Sequence, residues 1–134
     1  MKRLNKKGFT LVELLAVIVI LALLIVVVAN TALPAMDKAK RKTLQTYTMR
    51  VMEQAKALYM SDNTSCESTA CTLTQIMGAD APTDKYSASI TVAYNNTTAS
   101  YELTGTVQDI KNKLTATIGE VDGKKNQITI APTS

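Results

Sequence analysis

An α+β fold is expected, a long N-terminal helix followed by a small antiparallel sheet, and three features of the 134-residue sequence predict it. Residues 9–29 are apolar at every position except Thr10 and Glu13. Leu44, Tyr47, Val51, Ala55 and Leu58 then recur at spacings of three and four, the period of a helix with one covered face. From Tyr86 onward the apolar period falls to two, as in strands with one face buried.

Composition narrows the function. The length suits one domain with an appendage rather than a multidomain enzyme. The chain has no His, which removes the usual neutral-pH general base, the Ser/Cys–His nucleophile pairs and imidazole metal ligands. Aromatic residues make up 4% with no Trp, thin for stacking on bases or sugars. The formal charge of +4 invites a nucleic-acid or membrane-surface function, but it is unevenly placed. Lys2, Arg3, Lys6 and Lys7 supply all of it, and residues 9–134 hold eleven basic and eleven acidic side chains.

The first element is the apolar run. As a helix, its 21 residues reach roughly 32 Å, about the thickness of a bilayer's hydrocarbon core. It has no polar face, and a domain this small could hardly enclose a helix apolar on every side. A membrane-spanning helix is therefore expected. The charge rule does not orient it, because Lys38, Lys40, Arg41 and Lys42 balance the four cations in front. A removable secretory signal shares the basic start, but the run is longer than a usual signal core and no A-x-A site follows it.

Instead, the leader joins the span directly through Gly8-Phe9-Thr10-Leu11-Val12-Glu13-Leu14-Leu15. This junction resembles the processing site of type IV prepilins and pseudopilins over residues 2–29. The resemblance implies that a prepilin peptidase cuts after Gly8 on the cytoplasmic side and methylates the new amine of Phe9. It places the leader in the cytoplasm and the remainder outside, as a single-pass membrane precursor that reaches a cell-surface pilus after assembly. The expected organisation is a leader at 1–8, a transmembrane and assembly helix at 9–36, and a pilin-like globular head at 37–134.

Physical chemistry speaks to the same residues. Gly8 has no Cβ, so the backbone there can enter a protease cleft extended. Glu13 is costly in lipid, roughly 3 kcal/mol for an acid at a helix centre, and an intramembrane acid calls for a function and a partner. No base lies within the span. The amine that cleavage creates at Phe9 can meet Glu13 of the same helix or of a neighbouring chain, and the resemblance favours the neighbour. A Glu near the headgroups can also simply stay hydrated. Pro34 lacks an N–H and clashes with the carbonyl of Asn30, so a kink or an unwound stretch is expected around residues 30–34.

The head begins with an amphipathic helix at 37–60, whose Leu44–Leu58 stripe should pack on a sheet of the same chain. Lys38, Lys40, Arg41 and Lys42 form a basic cluster that suits anionic headgroups or acidic neighbours. A loop at 61–85 carries Cys66 and Cys71. Their spacing, with no His or third Cys, disfavours zinc. In the exported head that the resemblance implies, a Cys66–Cys71 disulfide is expected. Many Gram-negative pilins close a larger loop near the C-terminus, so this pair hints at a Gram-positive type or a divergent branch. Thr72 and Gln75 have capping-box spacing for a turn at Leu73–Met77, and Gly78 stops it.

The antiparallel sheet is expected at 86–131, with three or four strands. Tyr86, Ala88, Ile90, Val92 and Tyr94 form one face, then Ala99, Tyr101, Leu103, Gly105 and Val107 after an Asn95-Asn96 turn. Leu114, Ala116 and Ile118 lead to a hairpin at Asp122-Gly123 and a strand through Gln127 and Ile130. Residues 108–113 fit a loop or a helical turn. Asn63-Thr64-Ser65 and Asn95-Asn96-Thr97 match a glycosylation sequon but read as ordinary loops. The scattered carboxylates form no calcium loop, and no catalytic constellation, cofactor motif or phosphate loop stands out.

The sequence thus points to a non-enzymatic pilus subunit that assembles into a helical homo-oligomer. The resemblance implies the lipid bilayer as its environment before assembly, and a cytoplasmic assembly ATPase with a membrane platform protein as further partners. The alternatives are a pseudopilin or competence pilin moving proteins or DNA, with DNA a partner only in that case, and a minor tip pilin with a ligand-binding head.

Overall fold

The computed structural model describes residues 8, 10–61 and 66–134. The chain divides into two units, Met1–Lys38 and Ala39–Ser134. Helix α1, Leu11–Ser61, contributes to both. In the first unit its large apolar side chains are 51–80% exposed, and no other described residue of that unit covers them. This helix is long and apolar enough to cross a membrane. Helical structure runs without a break through residues 30–34, and the unwound stretch expected there is absent. Pro34 removes a single N–H, and a helix whose neighbouring turns stay bonded tolerates that loss. Just upstream, the Thr31 hydroxyl bonds back to the carbonyls of Val27 at 3.2 Å and Val28 at 3.3 Å.

The second unit is a five-stranded antiparallel sheet with the head portion of α1 in its core. The strands are β1 (Cys71–Thr72), β2 (Tyr86–Asn95), β3 (Ser100–Asp109), β4 (Leu114–Val121) and β5 (Lys124–Pro132), paired in chain order. The short helix α2, Leu73–Met77, follows β1. Leu44, Val51, Ala55 and Tyr59 of α1 share one buried cluster with Ile90, Val92, Leu103, Val107, Ala116 and Ile118. The α+β arrangement is the one the periodicities predict. The sheet has one strand more than expected, the two-residue β1 that pairs Cys71 with Ile90 and Thr72 with Ser89.

The buried stripe of α1 is also rotated slightly from expectation. Thr48 and Tyr59 are buried, while Tyr47 and Leu58 are only partly so. Thr48 can go inside because its hydroxyl donates to the Leu44 carbonyl at 2.8 Å, which satisfies the polar group locally. Residues 108–109 complete β3, and 110–113 form the turn to β4. Asp109 is buried there, accepting the Asn112 N–H at 2.9 Å and its side-chain amide at 2.8 Å.

Two local solutions hold the sheet. Gly105 sits at φ +143° opposite Ile90, and a Cβ on it would lie 2.8 Å from the Ile90 Cα, so only glycine fits. Pairing of β3 with β4 also stops there, at Gly105↔Ile118, leaving the N-terminal half of β3 without a β4 partner. Asn126 of β5, at φ +58°, takes over: its Oδ1 accepts the Leu103 N–H at 2.6 Å and its Nδ2 donates to the Tyr101 carbonyl at 2.8 Å. The Asp122-Gly123 turn has φ +50° and +75°, the left-handed pair of a type I′ hairpin.

Candidate assembly and processing site

The N-terminal site is built from Gly8, Thr10 and Glu13 at the start of α1. Gly8 is exposed, and a Cβ on it would meet nothing within 4 Å, so the backbone there is open to a protease. Thr10 precedes the first helical residue and caps it. Glu13 Oε2 accepts the Thr10 N–H at 2.9 Å, and Thr10 Oγ1 accepts the Glu13 N–H at 3.3 Å. Leu14 N–H bonds to the Thr10 carbonyl at 3.2 Å. This is a reciprocal capping box, satisfying two helix-start donors that lipid could not. The signal for this cap in the sequence is Thr-x-x-Glu directly before an apolar run.

Phe9 and the leader cations Lys2, Arg3, Lys6 and Lys7 lie outside the described residues, so the expected meeting of the Phe9 amine with Glu13 has no geometry here. Pro34 lies inside α1. Cys66 and Cys71 are disulfide-bonded. Asn63-Thr64-Ser65 lies outside the described residues, and Asn95 is engaged in its own turn, accepting the Thr97 N–H at 2.9 Å and donating to Glu102 at 2.8 Å.

The head presents two concavities that the sequence did not reveal. Ala39, Lys42, Thr43, Thr46, Tyr47, Arg50 and Tyr86 line a groove of about 580 Å³. Tyr47 and Tyr86 stack in it with ring centroids 3.9 Å apart. Burial pushes both phenols above the ordinary tyrosine value; Tyr86 adds to the rise at Tyr47 while Arg50 opposes it, and Asp109 adds to the rise at Tyr86. Tyr59, Glu67, Tyr94 and Tyr101 line a smaller pocket of about 280 Å³. Elsewhere on the head Lys125 pairs with Glu120 and lies 3.6 Å from Glu102, and the Glu120 hydrogen bond foremost holds its ammonium above the usual lysine value. Among the described residues, no group of three or more His, Cys, Asp or Glu is placed to hold a metal ion.

An apolar N-terminal helix with a single capped acid, carried by a small α+β head, is a pilin-like architecture. Residues 3–29 match the family model described as the prokaryotic N-terminal methylation motif, and the chain carries this type IV prepilin signature. Gly8, Phe9, Thr10 and Glu13 all fall within the match. No curated protein and no solved structure matches the chain. The motif supports a type IV pilin-like or pseudopilin protein, and with the apolar helix it fits a membrane-anchored precursor.

Proposed function

We propose that the chain is the structural subunit of a type IV pilus filament serving adhesion, motility or aggregation. The observation that carries this is the methylation motif on a helix whose large described apolar side chains at residues 11–36 are exposed. Prepilin peptidase removes the leader after Gly8 and methylates the Phe9 amine. In the membrane, lipid surrounds residues 9–29; in the filament, the same residues of other subunits do. That transfer gains no simple hydrophobic energy, so packing and polar pairing must guide it. The Phe9 amine of one subunit and Glu13 of its neighbour supply the pair that sets the register. Pro34, with its missing N–H, marks where the helix yields during packing. Extraction from lipid needs external work, which a cytoplasmic ATPase acting through a membrane platform protein provides.

The role is structural rather than catalytic, and the final location is the cell surface. The test is to shear surface filaments from cells expressing the chain and quantify the subunit. The mature chain is expected as a principal component. Scarcity there, with the processed chain retained in the membrane, would overturn the major-pilin assignment.

A further inference from the structure

We propose that the corner formed by Tyr59, Tyr94, Tyr101 and Glu67 is a binding site for a small organic ammonium group. The four side chains line a concavity of about 280 Å³. Tyr101 meets Tyr59 edge-on at a centroid distance of 5.8 Å and Tyr94 at 5.0 Å, with the latter planes tilted by 57°. Rings turned at such angles present π faces in more than one direction, and each face attracts a cation through the ring quadrupole. The cluster already does this once, because the Lys56 ammonium lies 5.2 Å from the Tyr101 ring centroid.

Glu67 supplies the opposing charge. It is exposed and forms no ion pair among the described residues. Its loop is tied down on both sides. Cys66 is bonded to Cys71, the Cys66 carbonyl accepts the Val92 N–H at 2.7 Å, and Cys71 pairs with Ile90. A carboxylate carried on an anchored loop loses little freedom on binding, which lowers the cost of complex formation. The combination selects by charge. Glu67 and the ring faces disfavour an anion, a neutral ligand forms no ion pair with the carboxylate, and an ammonium gains from both against the repulsion of Lys56, whose own ammonium lies over Tyr101. The site lies wholly within the head, so it stands or falls separately from filament assembly.

The test uses the full chain in dodecyl maltoside micelles, whose headgroup carries no ammonium, with tyrosine rings labelled for NMR. Choline and butylammonium chlorides are titrated beside 3,3-dimethylbutan-1-ol, the uncharged carbon isostere of choline. Saturable shifts of the Tyr94 and Tyr101 rings are expected with at least one ammonium, and the isostere should bind about tenfold more weakly. Glu67→Gln should weaken binding about fivefold with the β2 and β3 backbone signals unchanged. Tyr94→Leu, at an exposed ring, should weaken it similarly. Absence of a saturable shift with both ammonium salts, equal binding of the isostere, or wild-type affinity in Glu67→Gln would overturn the proposal. The isostere comparison needs no variant, so the outcome stands even where a substitution perturbs folding.

Discussion

Glu13 caps its own helix and, in the proposed filament, serves a second demand with the same carboxylate. As the third residue of α1 it accepts the Thr10 N–H, and as the lone acid of the span it is the one group there able to pair with a neighbour's amine. The two roles separate by charge, because glutamine keeps the cap and removes the pair. Glu13→Ala and Glu13→Gln should both leave membrane insertion intact and abolish surface filaments, read by shearing and by membrane fractionation. Rescue by Gln would show that the cap, worth about 1 kcal/mol, is what assembly needs. Asn126 offers a second test at this scale. Its side chain stands in for a strand partner to Tyr101 and Leu103, so Asn126→Ala leaves both backbone groups unpaired and replaces a residue that favours the left-handed conformation with one that does not. A loss of about 2–4 kcal/mol in urea unfolding of the head is expected; a change under 1 kcal/mol would assign these bonds no net value.

Among the elements, α1 and β2 meet at a pair of stacked tyrosines whose phenols are held above the ordinary value of 10.0, burial being the first cause in each. The folded chain therefore binds these protons more tightly than the unfolded chain. That contribution to stability is complete below pH 10 and is lost as pH rises from 10 through the raised values. Thermal melting of the wild type should fall more steeply between pH 9 and 11 than that of Tyr86→Phe, which keeps the stack and removes one titrating group; parallel curves would refute the linkage. The elements that were legible beforehand are those whose cause is local. The apolar run, the Leu73–Met77 turn with Gly78 behind it, the period-two strands and the Asp122-Gly123 hairpin each declare themselves within a few residues. Thr48 in the core, the two-residue β1 and the Asn126 bridge do not, because a partner distant in sequence or a hydroxyl bonded along its own helix decides each one. The same division holds for function. Gly8 and Glu13 form a continuous motif, whereas the tyrosine corner gathers positions 59, 67, 94 and 101 through folding alone.

At the scale of the whole molecule, charge and apolar surface are sorted along the chain, and the proposed processing would change the balance. The full sequence has a formal charge of +4 and a composition-based isoelectric point near 9.1, which taken alone describes a basic protein. All four surplus cations precede Gly8, and residues 9–134 hold eleven charges of each sign. Cleavage after Gly8 therefore leaves a chain whose only other ionised groups at neutral pH are one secondary amine and one terminal carboxylate. With no His to buffer the interval, such a chain focuses below about pH 7, between the carboxylates and the amine. Isoelectric focusing of membrane extracts should thus show two species, a basic precursor and a near-neutral mature form. Gly8→Val, which puts a branched side chain at the open backbone position, should hold the population at the basic species. A mature species focusing above pH 8 would place the cut upstream of some of Lys2, Arg3, Lys6 and Lys7, and would remove Phe9 from the role of methylated terminus and partner of Glu13.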